Sequence, residues 1–190
     1  GFCWILITCL MTGAGLLKAT HNRAGEIIYK RIAPFSEKVG GTTVAVYNYS
    51  ITLIKYTKYD EEAADRCEDT IFFGDDSWEL VPRINAGLTD CKCGPNIECG
   101  QLISANANHK VKLNIYTATH RYPGPGEYHI RSLDPNRNEG VINIQNSVDK
   151  PFYIESLLII NAHTGANTSP QFAFAPIDKA CLAQCFEHNP

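Results

Sequence analysis

The chain has 190 residues, of which 44% are hydrophobic and 19% charged, with a net charge of −3. That length and balance exclude a disordered chain and provide for one ordinary domain with its own core. A pI near 6.1 implies no basic face and argues against nucleic acid as a partner. Eight cysteines are many for a cytosolic protein of this size and point to an oxidising compartment, while ten prolines and fourteen glycines favour strands and turns over helices.

Taken in chain order, residues 1–17 read GFCWILITCLMTGAGLL, uncharged and almost wholly apolar. Such a run fits the hydrophobic region of an export signal and is marginal for a spanning helix. Ala14 and Ala19 are the two candidates for the last residue before cleavage. The expected signal-peptide helix therefore covers 1–19, with its basic start missing, against the competing readings of a buried core helix or a retained anchor. A domain over 20–180 and a linker over 181–190 follow. Cleavage removes Cys3 and Cys9 and leaves Cys67, Cys91, Cys93, Cys99, Cys181 and Cys185, an even set that reads as disulfides of open connectivity.

Residues 25–32 read as a first strand. Residues 44–57 carry the strongest strand signal, with Tyr47, Tyr49, Ile51 and Leu53 on one face and Asn48, Ser50 and Thr52 on the other. The alternation slips at Ile54 and Tyr56, which predicts a bulge or a change of sheet near 54. Residues 70–73 form a short strand ended by Gly74, Asp75 and Asp76, and 78–84 return from that turn. Residues 85–109 have no clear period and read as a Cys-rich insertion tied down by disulfides. Val111, Leu113 and Ile115 alternate with Lys110, Lys112 and Asn114 in a half-buried strand. Residues 127–133 give another, with Tyr128 and Ile130 inward and Glu127, His129 and Arg131 outward. Val141, Ile142 and Ile144 come next, then 152–160. The tail from 169 onward reads as a closing strand and an exit. Short strands between turn signals, with no helical period after residue 20, predict an all-β, antiparallel sandwich.

Two segments are more specific. Ile71-Phe72-Phe73-Gly74-Asp75-Asp76, followed by His120-Arg121-Tyr122-Pro123-Gly124-Pro125-Gly126-Glu127-Tyr128-His129-Ile130, resembles the PKD domain, an immunoglobulin-like β-sandwich. That family's pattern is W-G-D-G, then H-x-Y-x-x-x-G-x-Y-x-V. Phe73 stands at the Trp position, where it can fill the same core space. Asp76 stands at the second Gly, where Asp tolerates a left-handed backbone. Each Pro-Gly pair places a fixed φ before a residue free to turn. Tyr122 and Tyr128 are expected to face each other across a hairpin or cap the core.

A longer likeness runs from Ala19-Thr20-His21-Asn22-Arg23-Ala24-Gly25-Glu26-Ile27 through 51–58, Ala64-Asp65-Arg66, 134–138, 141–147 and 151–155 to Phe186-Glu187-His188-Asn189-Pro190. It resembles the N-terminal module of large surface proteins of gliding Bacteroidetes, which carry a type IX secretion sorting domain at the far C-terminus. The resemblance implies a secreted or cell-surface piece of a larger protein, active in adhesion or gliding-associated surface structure or as a spacer. Its partners would be neighbouring domains of the same chain and surface glycans or proteins, with no stable membrane span after cleavage. The alternative is an accessory domain of a secreted polysaccharide- or protein-degrading enzyme. No catalytic motif is found, and no enzymatic activity is expected of the module itself.

Asp134, Asn136 and Asn138, with Glu139, place oxygen ligands at alternate positions, as calcium loops do; turn chemistry is the plainer reading. Cys91, Cys93 and Cys99 with His109 could ligate zinc, but the spacing is uncommon and disulfides fit the compartment better. Asp60, Glu61 and Glu62 read as a solvated loop, and His120 as a donor to backbone. Asp69-Thr70-Ile71 resembles a short O-glycosylation acceptor of Bacteroidetes. Tyr56, Tyr59 and Trp78 are candidate exposed aromatics for sugar stacking.

Overall fold

A computed structural model describes residues 22–58, 66–85, 100–104, 111–135, 137–161, 167–173 and 175. The expected signal peptide, five of the six expected disulfide cysteines, Tyr59 to Glu62, His109 and the exit linker lie outside them.

The described chain is all-β. Its strands are β1 (Asn22–Arg31), β2 (Ser36–Val39), β3 (Thr42–Ala45), β4 (Tyr47–Lys58), β5 (Glu68–Phe72), β6 (Trp78–Pro82), β7 (Gln101–Ser104), β8 (Val111–Tyr122), β9 (Gly126–Asp134) and β10 (Phe152–Ile160). They form two four-stranded sheets, β1-β4-β8-β7 and β10-β9-β5-β6, plus the hairpin β2-β3. All pairs are antiparallel. The sheets pack face to face on one core. Tyr29, Tyr49, Ile51, Leu53 and Tyr116 come from the first sheet, and Ile71, Val81, Ile130, Leu158 and Ile160 from the second. This is the two-layer solution that alternating strands require when each sheet has one apolar face.

Local chemistry fixes the joints. Gly40 and Gly41 hold φ of 57° and 84° between β2 and β3. Two left-handed residues in a two-residue loop match the twist of a hairpin. Arg121 clamps this hairpin through Glu37. Beyond β6 the chain crosses between sheets: Arg83 bridges to Tyr116, and Ile84 N–H donates to the Ile115 carbonyl at 2.8 Å. Asn85 continues the crossing, donating to the Leu113 carbonyl at 2.6 Å and accepting from Ile115 N–H at 2.7 Å. Ser169 and Tyr29 exchange main-chain and hydroxyl bonds, so the segment after 167 lies along the outer edge of β1.

Several expectations are corrected. No bulge breaks β4, which pairs with β8 in unbroken register from Tyr47 to Lys58. The alternation continues inward through Lys55 and Thr57; a buried lysine only looked like a slip. On β8 Val111 is buried as expected, but from Lys112 onward the polar side is the inner one: Lys112 and Asn114 are buried and Leu113 and Ile115 half-buried. Tyr116 and Ala118, on the same parity as Asn114, set that choice by entering the core. No strand forms over 141–144: Ile142 is fully exposed, and Ser147–Asp149 is a single 3-10 turn. Inside the supposedly structureless 85–109, Gln101–Ser104 pairs with β8.

Candidate functional site

Two polar clusters sit at opposite ends of the sandwich. The first is built by the two specific segments. Gly74 turns with φ 88° and Asp76 with φ 67°, and Phe73 N–H closes the turn on the Ser77 carbonyl at 3.0 Å. A Cβ on Gly74 would lie 2.5 Å from the His129 backbone nitrogen, so close approach as well as φ requires glycine. The turn delivers Phe73 to the core and Asp75 to β8. Phe73 stacks on His120 at 4.0 Å with ring planes 5° apart, and His120 meets Tyr122 edge-on at 4.6 Å. Tyr122 hydroxyl donates to the Phe73 carbonyl at 3.1 Å. Tyr122 and Tyr128 touch at 4.3 Å, tilted by 42°.

Asp75 is the polar centre of this end. Its Oδ2 lies 2.7 Å from His120 Nε2, and its Oδ1 accepts from Ser77 hydroxyl at 2.5 Å and Ser77 N–H at 3.2 Å. His120 thus bonds a carboxylate, not backbone as expected. Burial works to raise the Asp75 carboxyl, but donation from Ser77 and His120 outweighs it and holds the group below its ordinary value. Burial pushes the Tyr122 hydroxyl well up. Asp75, Arg121 and Tyr122 border an open groove of about 410 Å³. Both Asp75 oxygens are already bonded within the fold.

Pro123 to Pro125 do not close a hairpin. They carry the chain from β8 in one sheet to β9 in the other, and neither Gly124 nor Gly126 takes a positive φ. A Cβ on Gly126 would press on the Tyr128 ring at 3.2 Å, so the ring would have to give by a few tenths of an ångström. Tyr128 hydroxyl donates to the Gly124 carbonyl at 2.9 Å.

The second cluster was not foreseen. Lys55 of β4 points into the core with 2% of its side chain exposed, and its Nζ lies 2.5 Å from both Asp69 Oδ2 and Asp134 Oδ2. The two aspartates, on β5 and β9, are 4% and 2% exposed. Asp69 Oδ1 accepts from Thr70 N–H at 2.8 Å and Ser132 hydroxyl at 3.1 Å. Asp134 Oδ2 also accepts from Asn22 Nδ2 at 2.8 Å. Asn22 reaches inward because a bulge between Asn22 and Ala24 shifts the parity of β1. Arg66 Nε lies 2.7 Å from Asp134 Oδ1 as an ion pair without hydrogen-bond alignment. Two carboxylates thus meet two cations, one deep and one at the rim.

The calcium candidates do not converge among the described residues. Asp134 turns inward to Lys55 and Arg66, and Asn136 lies outside the described residues. Asn138 accepts Ser147 hydroxyl on its backbone carbonyl at 2.6 Å and keeps a buried side-chain oxygen without a partner. No group of three or more His, Cys, Asp or Glu that could hold a metal exists among the described residues. Cys67 is disulfide-bonded and is the only cysteine among them; Cys91, Cys93, Cys99, Cys181 and Cys185 lie outside. No helix among the described residues is long and apolar enough to cross a membrane.

Of the aromatic candidates, Tyr56 is buried and donates to Glu26 at 3.0 Å, and burial pushes its hydroxyl up. Trp78 is 62% exposed. It stands opposite Phe72 on the outer face of the second sheet, where Leu80, Leu133, Tyr153 and Leu157 are also exposed. Arg131 lies over Phe72 at 5.4 Å. Thr70 of the glycosylation-like triplet is half-buried on β5, beside the buried Asp69. Compared with protein-family models, curated proteins and solved structures, the chain matches none.

Proposed function

We propose that the chain is a non-catalytic, immunoglobulin-like (PKD-type) module of a larger secreted or cell-surface protein, serving adhesion or spacing. The corner at Tyr128 carries this reading. A tyrosine at the start of a strand, bonding back to backbone where the chain changes sheet, is a feature of immunoglobulin-like sandwiches. Strand order supports it: lettering β1, β4, β5, β6, β7, β8, β9 and β10 as A, B, C, C′, D, E, F and G gives sheets A-B-E-D and G-F-C-C′. A disulfide at Cys67 fits an oxidising compartment.

Two observations favour holding over transforming. Asp75 spends both its oxygens within the fold, on Ser77 and His120. The outer face of the second sheet, with Trp78 and Leu80 exposed on one edge strand and Tyr153 on the other, offers a surface for glycans or proteins. The test places the full chain on glycan and protein arrays and against a panel of hydrolase substrates. Binding that disappears in Trp78→Ala sustains adhesion, and silence on every array leaves spacing. Turnover of any substrate overturns the reading.

A further inference from the structure

We propose that Lys55 and Asp69 condense into an intramolecular amide that ties the two sheets together covalently, with Asp134 carrying the proton. The reading rests on the buried cluster alone and holds whether the module adheres or spaces.

The geometry divides the two aspartates by role. Lys55 Nζ touches Oδ2 of each at 2.5 Å. On Asp69 the other oxygen, Oδ1, receives two donors, Thr70 N–H at 2.8 Å and Ser132 hydroxyl at 3.1 Å. Paired donors on one carboxyl oxygen are what stabilise the oxyanion that forms when a nucleophile adds to the carbon. Asp134 is held differently. Arg66 faces its Oδ1 and Asn22 bonds its Oδ2, so its charge is balanced even without Lys55. A carboxylate that has its own counter-charge and touches the attacking nitrogen is placed to accept and return a proton.

The step balances without a co-reactant. Passing one proton from the Lys55 ammonium to Asp69 Oδ2 gives an amine and a carboxylic acid in contact. The amine nitrogen attacks Asp69 Cγ, and the N–C bond forms as charge gathers on Oδ1. Asp134 takes the second proton from nitrogen and delivers it to Oδ2. The C–Oδ2 bond breaks, and Oδ2 leaves as water. The product is a neutral amide, with Asp134 still paired to Arg66. Two features drive the step: both groups are fixed at contact by strands of opposite sheets, and a costly buried ion pair is replaced by a neutral link.

Mass spectrometry of the folded, full chain after thiol reduction tests this. The expected result is a chain lighter than its sequence by one water. Trypsin would fail to cut after Lys55, and a branched peptide would join the segments that hold Lys55 and Asp69. Lys55→Arg and Asp134→Asn are each expected to restore the sequence mass and, in the second case, cleavage after Lys55. A wild-type chain of full sequence mass, cut normally after Lys55, overturns the proposal. A branch ending on Asp134, or a cross-link that persists in Asp134→Asn, overturns the assigned roles.

Discussion

The two ends of the sandwich are stabilised by opposite means. At the Phe73 end, one carboxylate, one imidazole and three aromatic rings share a tight turn, and Asp75 and His120 keep 14% and 17% exposure. At the Lys55 end, an ammonium and two carboxylates sit in the dry interior with almost none. Charge near the surface is cheap to hold and contributes little, whereas charge in the core is tolerated only while every partner is present. The first end therefore fails gradually when a member is removed, and the second fails abruptly.

The largest effect is expected at Lys55. Lys55→Ala leaves two buried carboxylates facing each other with Arg66 at the rim; removing one member of a buried pair costs about 3–5 kcal/mol, and loss of the proposed Lys55–Asp69 link adds to that. Urea denaturation measures it. Lys55→Met combined with Asp69→Leu leaves Asp134 with Arg66 and Asn22 and is expected to recover the part of the loss that comes from the unpaired charges, since an apolar replacement of a buried ion pair is close to neutral. A single variant as stable as wild type would break the contrast between the ends.

Gly74→Ala comes next. The new Cβ meets His129 backbone at 2.5 Å and forces a side chain onto a φ of 88°. Strain of that kind costs about 1–3 kcal/mol before the turn shifts. The same denaturation curves report it, and a change within error would mean the turn yields without disturbing His129. Tyr128→Phe removes a single hydroxyl bond to the half-buried Gly124 carbonyl and is expected to cost about 0.5–1.5 kcal/mol. A larger loss would place the corner among the parts that fail abruptly.

The first end was legible because its residues arrive in two contiguous runs with turn chemistry between them. Phe73 as core filler, Asp76 as a left-handed residue and the Tyr122–Tyr128 contact all follow from those runs. The second end was not, because its members are scattered. Lys55 is 14 residues from Asp69 and 79 from Asp134, and Asn22 is 112 from Asp134. Each member alone reads as a solvated charge, so Lys55 appeared to end an alternation that in fact runs on to Thr57. Asp134 read as a turn residue, with calcium as the alternative, for the same reason: sequence gives its spacing to Asn138 but not the inward parity of β9. Lys112 and Asn114 repeat the lesson on β8, where the polar side of the alternation is the buried one. The β2-β3 hairpin, by contrast, carried a readable Gly40-Gly41 signal that the strand pattern around it was too exposed to strengthen.

The smallest effect, a pH dependence, separates the ends most cleanly. Asp75 has a depressed folded-state value, so it binds its proton less readily folded than unfolded. Its contribution is complete above the unfolded carboxylate value, about 3.9, and is lost as pH falls through the lower folded value. The difference in unfolding free energy between wild type and Asp75→Asn is therefore expected to shrink as pH falls below about that value. Taking the difference cancels other carboxylates that titrate nearby, such as Glu155, which Tyr153 and His129 also hold low. His120→Ala removes one of the donors that hold Asp75 down and should narrow the window over which the difference shrinks, leaving the Ser77 bonds in place. A difference that stays flat down to acid unfolding would mean that the Ser77 and His120 bonds do not favour the ionised form, and the Phe73 end would then owe its stability to ring packing alone.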